Sequence, residues 1–324
     1  MTGIKKILFP MVLLSLIAWP HGLMAASDYP NRAITVIVPY PAGGVTDLGA
    51  RALAESMEKH LKQPVIVVNK PGGGTTIGGY AVASAKPDGY TLGFFPVAAA
   101  IPEAYIYFQD APYSSRDLRP ISSAVATAYT ITVKEDAPWN SLKELIEYAR
   151  KNPGIKAGTG GKQTLQHMLL TTLNRLEKTG FVGVPFAGDP QNLAALLGGH
   201  TSVGLMDFSV AKSVTDAKKV RVLAVVTEKR ADFASDVPTV VELGYPIIYV
   251  SILGVTGPKG LPEEIVHKIE GLVAKICTEP DFQTRIRNTA LQINYQDAAT
   301  YQKSLAKYKE NVLAHFKEEG LVKK

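Results

Sequence analysis

The chain contains 324 residues, of which 46% are hydrophobic and 20% are charged, and its formal net charge is +6. This composition is that of a globular protein, which excludes a disordered chain, and the length allows about two domains. The single cysteine, Cys277, excludes a fold held by internal disulfides, and the basic residues lack the interleaved aromatic residues of a nucleic-acid-binding surface. We therefore expect no nucleic-acid partner and a buried, unreactive Cys277.

Residues 1–26 differ in kind from the rest of the chain. Lys5 and Lys6 precede an apolar run over 7–19, and small residues follow at 25–26. This order is typical of a secretory signal peptide, and the run is shorter than the about 20 residues that a membrane span needs. We expect cleavage near residue 26 and an exported mature chain, and a retained N-terminal anchor is the alternative.

The first elements of the mature chain form a strand–helix–strand unit. A β-branched apolar run predicts a strand over 33–38, a one-sided apolar pattern predicts a helix over 47–62, and a second strand follows at 65–69. The loop between the first two carries glycines and no charge before Asp47. Such a loop at a helix start offers unpaired N–H groups and the positive end of the helix dipole. The pattern predicts an anion site, but the anion can be a phosphate, a nucleotide or a carboxylate.

The same architecture recurs later in the chain. A strand at 155–158 leads through Thr159, Gly160 and Gly161 to a helix at 163–176. The other predicted strands are 90–95, 121–126, 129–133, 181–185, 202–206, 220–226 and 249–256, and the other predicted helices are 77–85, 141–151, 190–197, 236–244, 262–278, 280–288 and 298–319.

Two α/β regions, each with a strand–glycine loop–helix junction, indicate two lobes that face a cleft. We expect the strand at 249–256 to return to the first region, so that the chain crosses between the lobes twice. This assigns 27–122 and 248–324 to lobe 1 and 123–247 to lobe 2. Each lobe is expected to hold a mixed, mostly parallel sheet flanked by helices.

Common catalytic and cofactor motifs are missing from the sequence. The segment GTGGKQT at 158–164 fails the Walker pattern at two positions, and neither a Gly-x-Ser-x-Gly elbow nor a dinucleotide glycine pattern follows a predicted strand. The histidines are far apart and form no helical ligand pair. The sequence therefore predicts no catalytic residue, no metal and no cofactor.

Short segments spread over nearly the whole mature chain carry a family resemblance. They read PYPAGGVTD at 39–47, NKPGGG at 69–74, IG at 77–78, PDGYTL at 87–92, VPF at 184–186, LLGG at 196–199 and DVPTV at 236–240. In this order they resemble the Bug proteins, the TctC-like extracytoplasmic solute receptors of tripartite tricarboxylate transporters.

The resemblance implies a two-lobe periplasmic binding protein, or Venus flytrap, that acts as a monomer, captures a small mono- or dicarboxylate and delivers it to a membrane permease. It also implies that loops from both lobes hold the ligand, largely through backbone amides and bridging waters. The residues that it places at the site are Tyr40, Ala42, Gly43, Gly44, Thr46, Asp47, Thr159, Gly160, Gly161, Gln163, Thr164, His167 and Asp207.

Some of these positions have a second interpretation. Thr46 and Asp47 also suit N-cap positions. A structural role is favoured for Asp47, since its charge would repel a bound carboxylate.

The chain departs from the family pattern at Gln163, where a small residue is usual, and at Ala187, where lysine is common. Two other functions stay open: an exported hydrolase that uses Asp47, Asp207 or His167, and a receptor for a membrane sensor.

Overall fold

The computed structural model describes residues 29–104, 111–160, 164–186, 188–231, 234–247, 249–318 and 320. The predicted signal peptide and the residues Gly161, Gln163 and Ala187 lie outside these ranges.

The described residues form helices and strands in alternation. The strands are β1 Ile34–Val38, β2 Val65–Asn69, β3 Thr91–Pro96, β4 Leu118–Lys134, β5 Lys156–Thr159, β6 Val182–Pro185, β7 Val203–Asp207, β8 Val220–Val225, β9 Val250–Pro258 and β10 Gln292–Gln296. The helices are α1 Val45–Leu61, α2 Thr76–Ala83, α3 Val97–Ala100, α4 Leu142–Lys151, α5 Leu165–Glu177, α6 Asp189–Leu197, α7 Phe208–Asp216, α8 Glu263–Cys277, α9 Pro280–Asn288 and α10 Ala298–Glu318.

The strands form one mixed sheet in the order β2-β1-β3-β9-β4-β7-β5-β6, and β8 and β10 also pair with β4. Strand β1 is parallel to β2 and β3, and β5 is parallel to β6 and β7. The pairings made by β4 and β9 are antiparallel. This confirms the mixed α/β fold, because helical crossovers join the parallel strands in each half.

Strand β4 is the element that joins the two halves. The sequence predicted two short strands, at 121–126 and 129–133, but the structure has one strand of 17 residues. The residues between the two runs, Thr127 and Ala128, are neither glycine nor proline, so the extended chain continues. Pairing with β9 extends to Ala128, and pairing with β7 begins at Tyr129. The proposed lobe limits, 27–122 with 248–324 and 123–247, stay a prediction.

The register brings strand ends from both halves towards the middle of β4. Pro96, at the end of β3, pairs with Leu253, which pairs with Val125. Asp207, at the end of β7, pairs with Tyr129. Ligands of open α/β sheets bind beyond the carboxyl ends of the strands. The fold therefore places a candidate cleft across the centre of β4.

Three large hydrophobic clusters surround this cleft. One packs α1, α8 and α9 against the first half of the sheet, and another packs α4 and α5 against the second. A third joins the halves, because Tyr301 and Phe316 of α10 share it with Leu165 and Met168 of α5. The apolar stripe of α10 is thus a core contact, since Leu305 and Val312 are also buried.

Other parts of the chain differ from the sequence interpretation. The predicted helix at 236–244 is wrong: the segment forms turns, in which Thr239 bridges to Val225 and exchanges hydrogen bonds with Glu242. Helix α7 and strand β10 were not predicted.

Burial of Cys277 is confirmed, and it raises the pKa of the thiol to about 12. Within the described ranges, no helix has the length and apolarity that crossing a membrane requires.

Candidate functional site

The loop between β1 and α1 is the predicted lobe-1 wall of the cleft. The helix begins at Val45, and its N-cap is Gly44, so Thr46 and Asp47 lie in the first turn and are not caps. No side chain among the described residues caps this helix. The first amides of a helix have no acceptor within the helix. The exposed loop residues Ala42 and Gly44 therefore lead to a helix start that is open to an anion.

Asp47 holds this loop in place. It is 1% exposed, and its carboxylate accepts hydrogen bonds from Gly43 N (2.8 Å), Arg51 Nε (2.9 Å) and Asn69 Nδ2 (2.9 Å). Although burial opposes ionisation, these donors hold the pKa of Asp47 below its usual range. An ionised, salt-bridged carboxylate makes a poor general base, so these contacts support a structural role and count against the hydrolase hypothesis for Asp47.

The contacts of Asp47 also change the role of Gly43. The Gly43 amide donates to Asp47, and the place of Gly43 at the ligand site stays a prediction. Gly43 has a φ of +84°, in the region where only glycine fits without strain. Its contribution is the turn that brings its own amide to Asp47 and leaves the helix start open.

The loop after β5 is part of the predicted lobe-2 wall. Thr159 is 1% exposed at the end of the strand, and Gly160 follows. Thr164 is the N-cap of α5, and its hydroxyl accepts a hydrogen bond from His167 N at 3.3 Å. The half-buried ring of His167 lies beside Gly183 of β6. This helix start thus has its own capping side chain, unlike that of α1.

Two acids lie next to this loop, the buried Asp207 and the half-buried Asp189. Asp207 ends β7, and Asp189 is the first residue of α6. The carboxylate of Asp189 accepts hydrogen bonds from Asp207 N (2.9 Å) and Gln166 Nε2 (3.1 Å), and that of Asp207 accepts from Ser209 N (3.0 Å). Sequence analysis named Asp207 but missed Asp189 and Gln166. The sequence feature that could have identified Asp189 is its position after the strand β6 and Gly188, at the first residue of α6.

The environment of the acid pair disfavours its charge. Burial raises the pKa of Asp189 to about 6, and the negative charge of Asp207 raises it further. The hydrogen bonds from Asp207 N and Gln166 lower the pKa and offset part of this rise. Burial also raises the pKa of Asp207, although contacts from Ser209 and Thr127 oppose this. No Arg or Lys side chain in the described part of the chain forms an ion pair with either acid. The predicted lobe-2 wall therefore holds acidic groups that have no ion-pair partner among the described residues.

Tyr40 connects the two walls. It belongs to the β1–α1 loop, and 38% of its surface is exposed. Burial of its phenol group and the negative charge of Asp189 raise the pKa of Tyr40 to about 12. The charge of Asp189, at the start of α6, therefore acts on the hydroxyl of Tyr40, and the facing of the β1–α1 loop and the loop after β5 stays a prediction.

Thr127 lies on the floor, at the centre of β4. It is 5% exposed, and its hydroxyl approaches Asp207 closely enough to lower the pKa of that acid. Within the described residues, however, this hydroxyl makes no hydrogen bond of normal geometry. The polar neighbour of the Thr127 hydroxyl is therefore the Asp207 carboxylate, in a contact outside normal hydrogen-bond geometry.

Other regions offer weaker sites. A depression of about 500 Å³ lies at the far end of β4, lined by Lys134, Glu135, Asp136, Leu197 and Lys219, and it is open to solvent and mixed in charge. No cluster of three or more metal-ligating side chains is present in the described ranges. The cleft across β4 is the better candidate.

Comparison with known proteins identifies the family of this chain. Residues 49–321 match the family described as "Tripartite tricarboxylate transporter family receptor", a family of extracytoplasmic solute-binding proteins. A curated relative from Cupriavidus necator, "UPF0065 protein in gbd 5'region", is 31% identical over 299 residues, which cover 92% of this chain and 90% of the relative.

Solved structures with the same fold include ligand complexes. The periplasmic binding protein BugD is 30% identical, with a TM-score of 0.76 and coverage of 91% of this chain and 100% of BugD. An R. palustris protein solved with adipate is 25% identical (TM-score 0.78, 90% and 97% coverage). MatC from Rhodopseudomonas palustris, solved with malate, is 26% identical (TM-score 0.75, 89% and 99% coverage). These neighbours are solute-binding proteins, and two of them hold carboxylates.

Proposed function

The chain belongs to the receptor family of the tripartite tricarboxylate transporters, and from this premise we propose that it captures a small carboxylated solute in its interlobe cleft and delivers it to a membrane permease. The observation that carries the proposal is the start of α1 after β1, which has no capping side chain among the described residues. The adipate and malate complexes of its structural neighbours support a carboxylate as the anion.

The physical basis is a cradle of backbone amides. The amides at the start of α1 are fixed donors, and charge-assisted hydrogen bonds to a carboxylate are strong. Because no side chain needs to be ordered for this contact, capture costs little conformational entropy. Closure of the lobes would then remove water from the bound ligand and create the shape that a permease recognises.

The predicted contact residues divide between the walls. Tyr40, Ala42, Gly44 and Thr46 are proposed to contact the carboxylate from lobe 1, where Gly43 and Asp47 shape the loop. The proposed contacts from lobe 2 are Thr159, Gly160, Gly161, Gln163, Thr164, His167 and Asp207, to which the structure adds Gln166 and Asp189.

The proposed location is the periplasm. The signal-peptide pattern of residues 1–26 supports export, and the family consists of extracytoplasmic receptors. The permease partner follows from the family, and we propose that the protein meets it as a monomer without a cofactor. A deletion strain that loses uptake of the ligand would support this partner, whereas loss of gene induction with normal uptake would favour the membrane-sensor alternative.

The test is to fill the helix start with a side chain. Gly44 has extended backbone angles, and a Cβ there meets only Pro41 O at 3.7 Å, so Gly44→Asp fits. An aspartate N-cap would accept the amide hydrogen bonds and repel an anion. Carboxylate affinity measured by calorimetry on residues 27–324 should fall by about tenfold or more, or ~1.4 kcal/mol.

Gly44→Ala is the matched control, because it adds a Cβ but no acceptor and should keep the affinity near that of the wild type. Equal binding by the aspartate and alanine variants would contradict the proposed site. Mass spectrometry of ligand recovered after incubation tests the hydrolase alternative, and recovery of an altered compound would contradict the receptor function.

A further inference from the structure

We propose that the end of α10, residues 315–318, is a strap that fastens the second half of the molecule to the first and limits how far the two halves separate. The first half holds β1, β2 and β3, the second half holds β5, β6 and β7, and β4 runs through both. The strap acts on the motion of the halves whatever the ligand is, and so it goes beyond the proposed function.

The backbone passes between the two halves in extended segments. The first passage lies within β4, where the partner strand changes from β9 at Ala128 to β7 at Tyr129. The second lies between Ile247, in the hydrophobic cluster of the second half, and Leu253, in that of the first. Passages of this kind let a few residues act as a hinge. A contact that bridges the halves away from these passages therefore limits the bending.

The first part of α10 is fixed to the first half. Tyr301 is fully buried, and a Cβ added to Gly254 of β9 would lie 2.7 Å from its ring, so helix and strand approach closely. Lys309 Nζ forms an ion pair at 3.0 Å with Glu103, which follows α3. An α-helix rises 1.5 Å per residue, so Phe316 lies ~22 Å along the axis from Tyr301. The anchored part of α10 therefore carries its end well beyond these contacts.

A hydrogen bond joins the end of α10 to α5 of the second half. His315 is 6% exposed, and its Nε2 lies 3.1 Å from Thr171 Oγ1. The Thr171 hydroxyl is also within hydrogen-bond distance of two carbonyl oxygens of its own helix, those of His167 and Met168. Because a hydroxyl carries one proton, Thr171 donates to its helix and accepts from His315 Nε2–H. The contact thus depends on one particular side chain of α5.

Helix α5 packs in two directions. Leu169 and Leu173 belong to the hydrophobic cluster of the second half. Leu165 and Met168 belong instead to the cluster that contains Phe316 of α10. One face of α5 therefore holds the helix to its own half, and another face meets the end of α10.

The contact between α10 and α5 is narrow. Helix α10 packs closely on β4, β10 and α3, whereas its approach to α5 in the described part of the chain is made by side chains near its end. The outermost of these contacts is an ion pair of 3.5 Å between Arg175 and Glu318, both about half exposed. Exposed ion pairs contribute little to stability. A narrow contact of this kind suits a strap that can yield, and not a continuous core that makes the halves one rigid body.

A second contact of α5 competes with the strap as the link between the halves. Thr172 Oγ1 lies 3.1 Å from the hydroxyl of Tyr249, which directly precedes β9. This pair lies beside a backbone passage and moves with it, so it should limit separation less than a contact at the end of α10. The experiment must therefore distinguish Thr171 from Thr172.

The test wedges α5 away from α10 in ligand-free protein of residues 27–324. Thr171→Arg removes the acceptor of His315 and adds a long side chain at a half-buried position. A compact chain of this length has a radius of gyration of about 19 Å, and small-angle X-ray scattering should show an increase of ~1 Å over the wild type.

Three variants control this experiment. Thr215→Arg is matched to the wedge, because Thr215 is also a half-buried helical threonine of the second half and its hydroxyl donates within α7. Thr171→Ser keeps the hydroxyl that accepts from His315. Tyr249→Phe removes the contact to Thr172 and leaves the strap. All three should scatter like the wild type.

A charge reversal tests the strap without entering the core. Arg175→Glu places two like charges at the exposed end of the strap and should increase the radius of gyration at low salt, by less than the wedge does. Adding Glu318→Arg restores the pair with its charges exchanged and should return the wild-type value. Circular dichroism shows which variants are folded.

Each outcome decides the proposal. A folded Thr171→Arg variant that is as compact as Thr215→Arg overturns the strap. An equal expansion in Tyr249→Phe overturns it as well, because the link would then lie at the backbone passage. If Thr171→Arg does not fold, the charge reversal decides: an Arg175→Glu variant as compact as the wild type, or an expansion that the exchanged pair retains, overturns the strap.

Discussion

The loops that begin α1 and α5 share the order of strand, glycines and helix, yet they present different groups to the cleft. Helix α1 starts at Gly44, which has no capping side chain, whereas α5 starts at Thr164, whose hydroxyl accepts the amide of His167. The N-cap residue thus decides whether a helix start is available to an external anion. A repeated sequence pattern therefore does not produce two equal binding sites.

The acids beside the two loops show the same asymmetry. Asp47 has Arg51 and two further donors, so the lobe-1 wall is neutralised by its own residues. Asp189 accepts a hydrogen bond from the amide of a second acid, Asp207, whose charge raises the pKa of Asp189 further. One wall therefore offers donors to an anion, and the other offers acceptors to a donor or cation. Three experiments test this contrast.

The largest effect is expected from Asp47→Ala. The change leaves the Gly43 amide and the Asn69 side chain without their acceptor and releases Arg51. Because Arg51 is half exposed and regains water, the cost should be about 2 kcal/mol in the free energy of unfolding. Urea denaturation measures it, with Asp136→Ala as the exposed control. A cost equal to that of the control would mean that Asp47 does not hold the loop.

A smaller effect with the opposite sign is expected from Asp189→Asn. The folded-state pKa of about 6 lies above the ordinary 3.8. The folded state therefore binds more protons than the unfolded state between these values, and stability falls as pH rises through this interval. At pH 7.5 the neutral variant should be more stable than the wild type by about 1–2 kcal/mol.

The groups that contact Asp189 or exchange charge effects with it are Asp207, Gln166 and Tyr40. Asp207 is the second carboxyl group among them, and burial raises its pKa as well. Urea denaturation of ligand-free protein at pH 4.5 and pH 7.5 checks the prediction. The difference in stability between the variant and the wild type should nearly vanish at the lower pH. A variant that is less stable at pH 7.5 would assign Asp189 a stabilising ionic contact.

The smallest effect compares the two helix starts directly. Thr164→Ala removes the acceptor of the His167 amide and should cost about 1 kcal/mol of stability, whereas Gly44→Ala removes no cap and should change stability by about 0.5 kcal/mol or less. Thermal unfolding of the two variants under one condition is sufficient. Equal losses would show that the two helix starts are capped alike.

Much of the fold was predictable because it depends on local pattern. The strand of β1, the helix of α9 and the buried stripe of α10 follow from β-branched runs, a first-turn proline and apolar spacing. Strand β10, which reads QINYQ, lacks such a pattern and forms because β4 offers it a pairing edge. Its position was set by tertiary contact and left no clear local signal.

The sequence by itself determined the two glycine loops, the family resemblance and the candidacy of Asp207. Only the tertiary structure decided which acid has a cation and which has another acid. Asp47 meets Asn69 across the β1–β2 pairing, and Asp189 meets Asp207 because β5 aligns β6 beside β7. The charge state of a buried group depends on neighbours that the sheet brings together from distant positions, and local sequence carries no record of them.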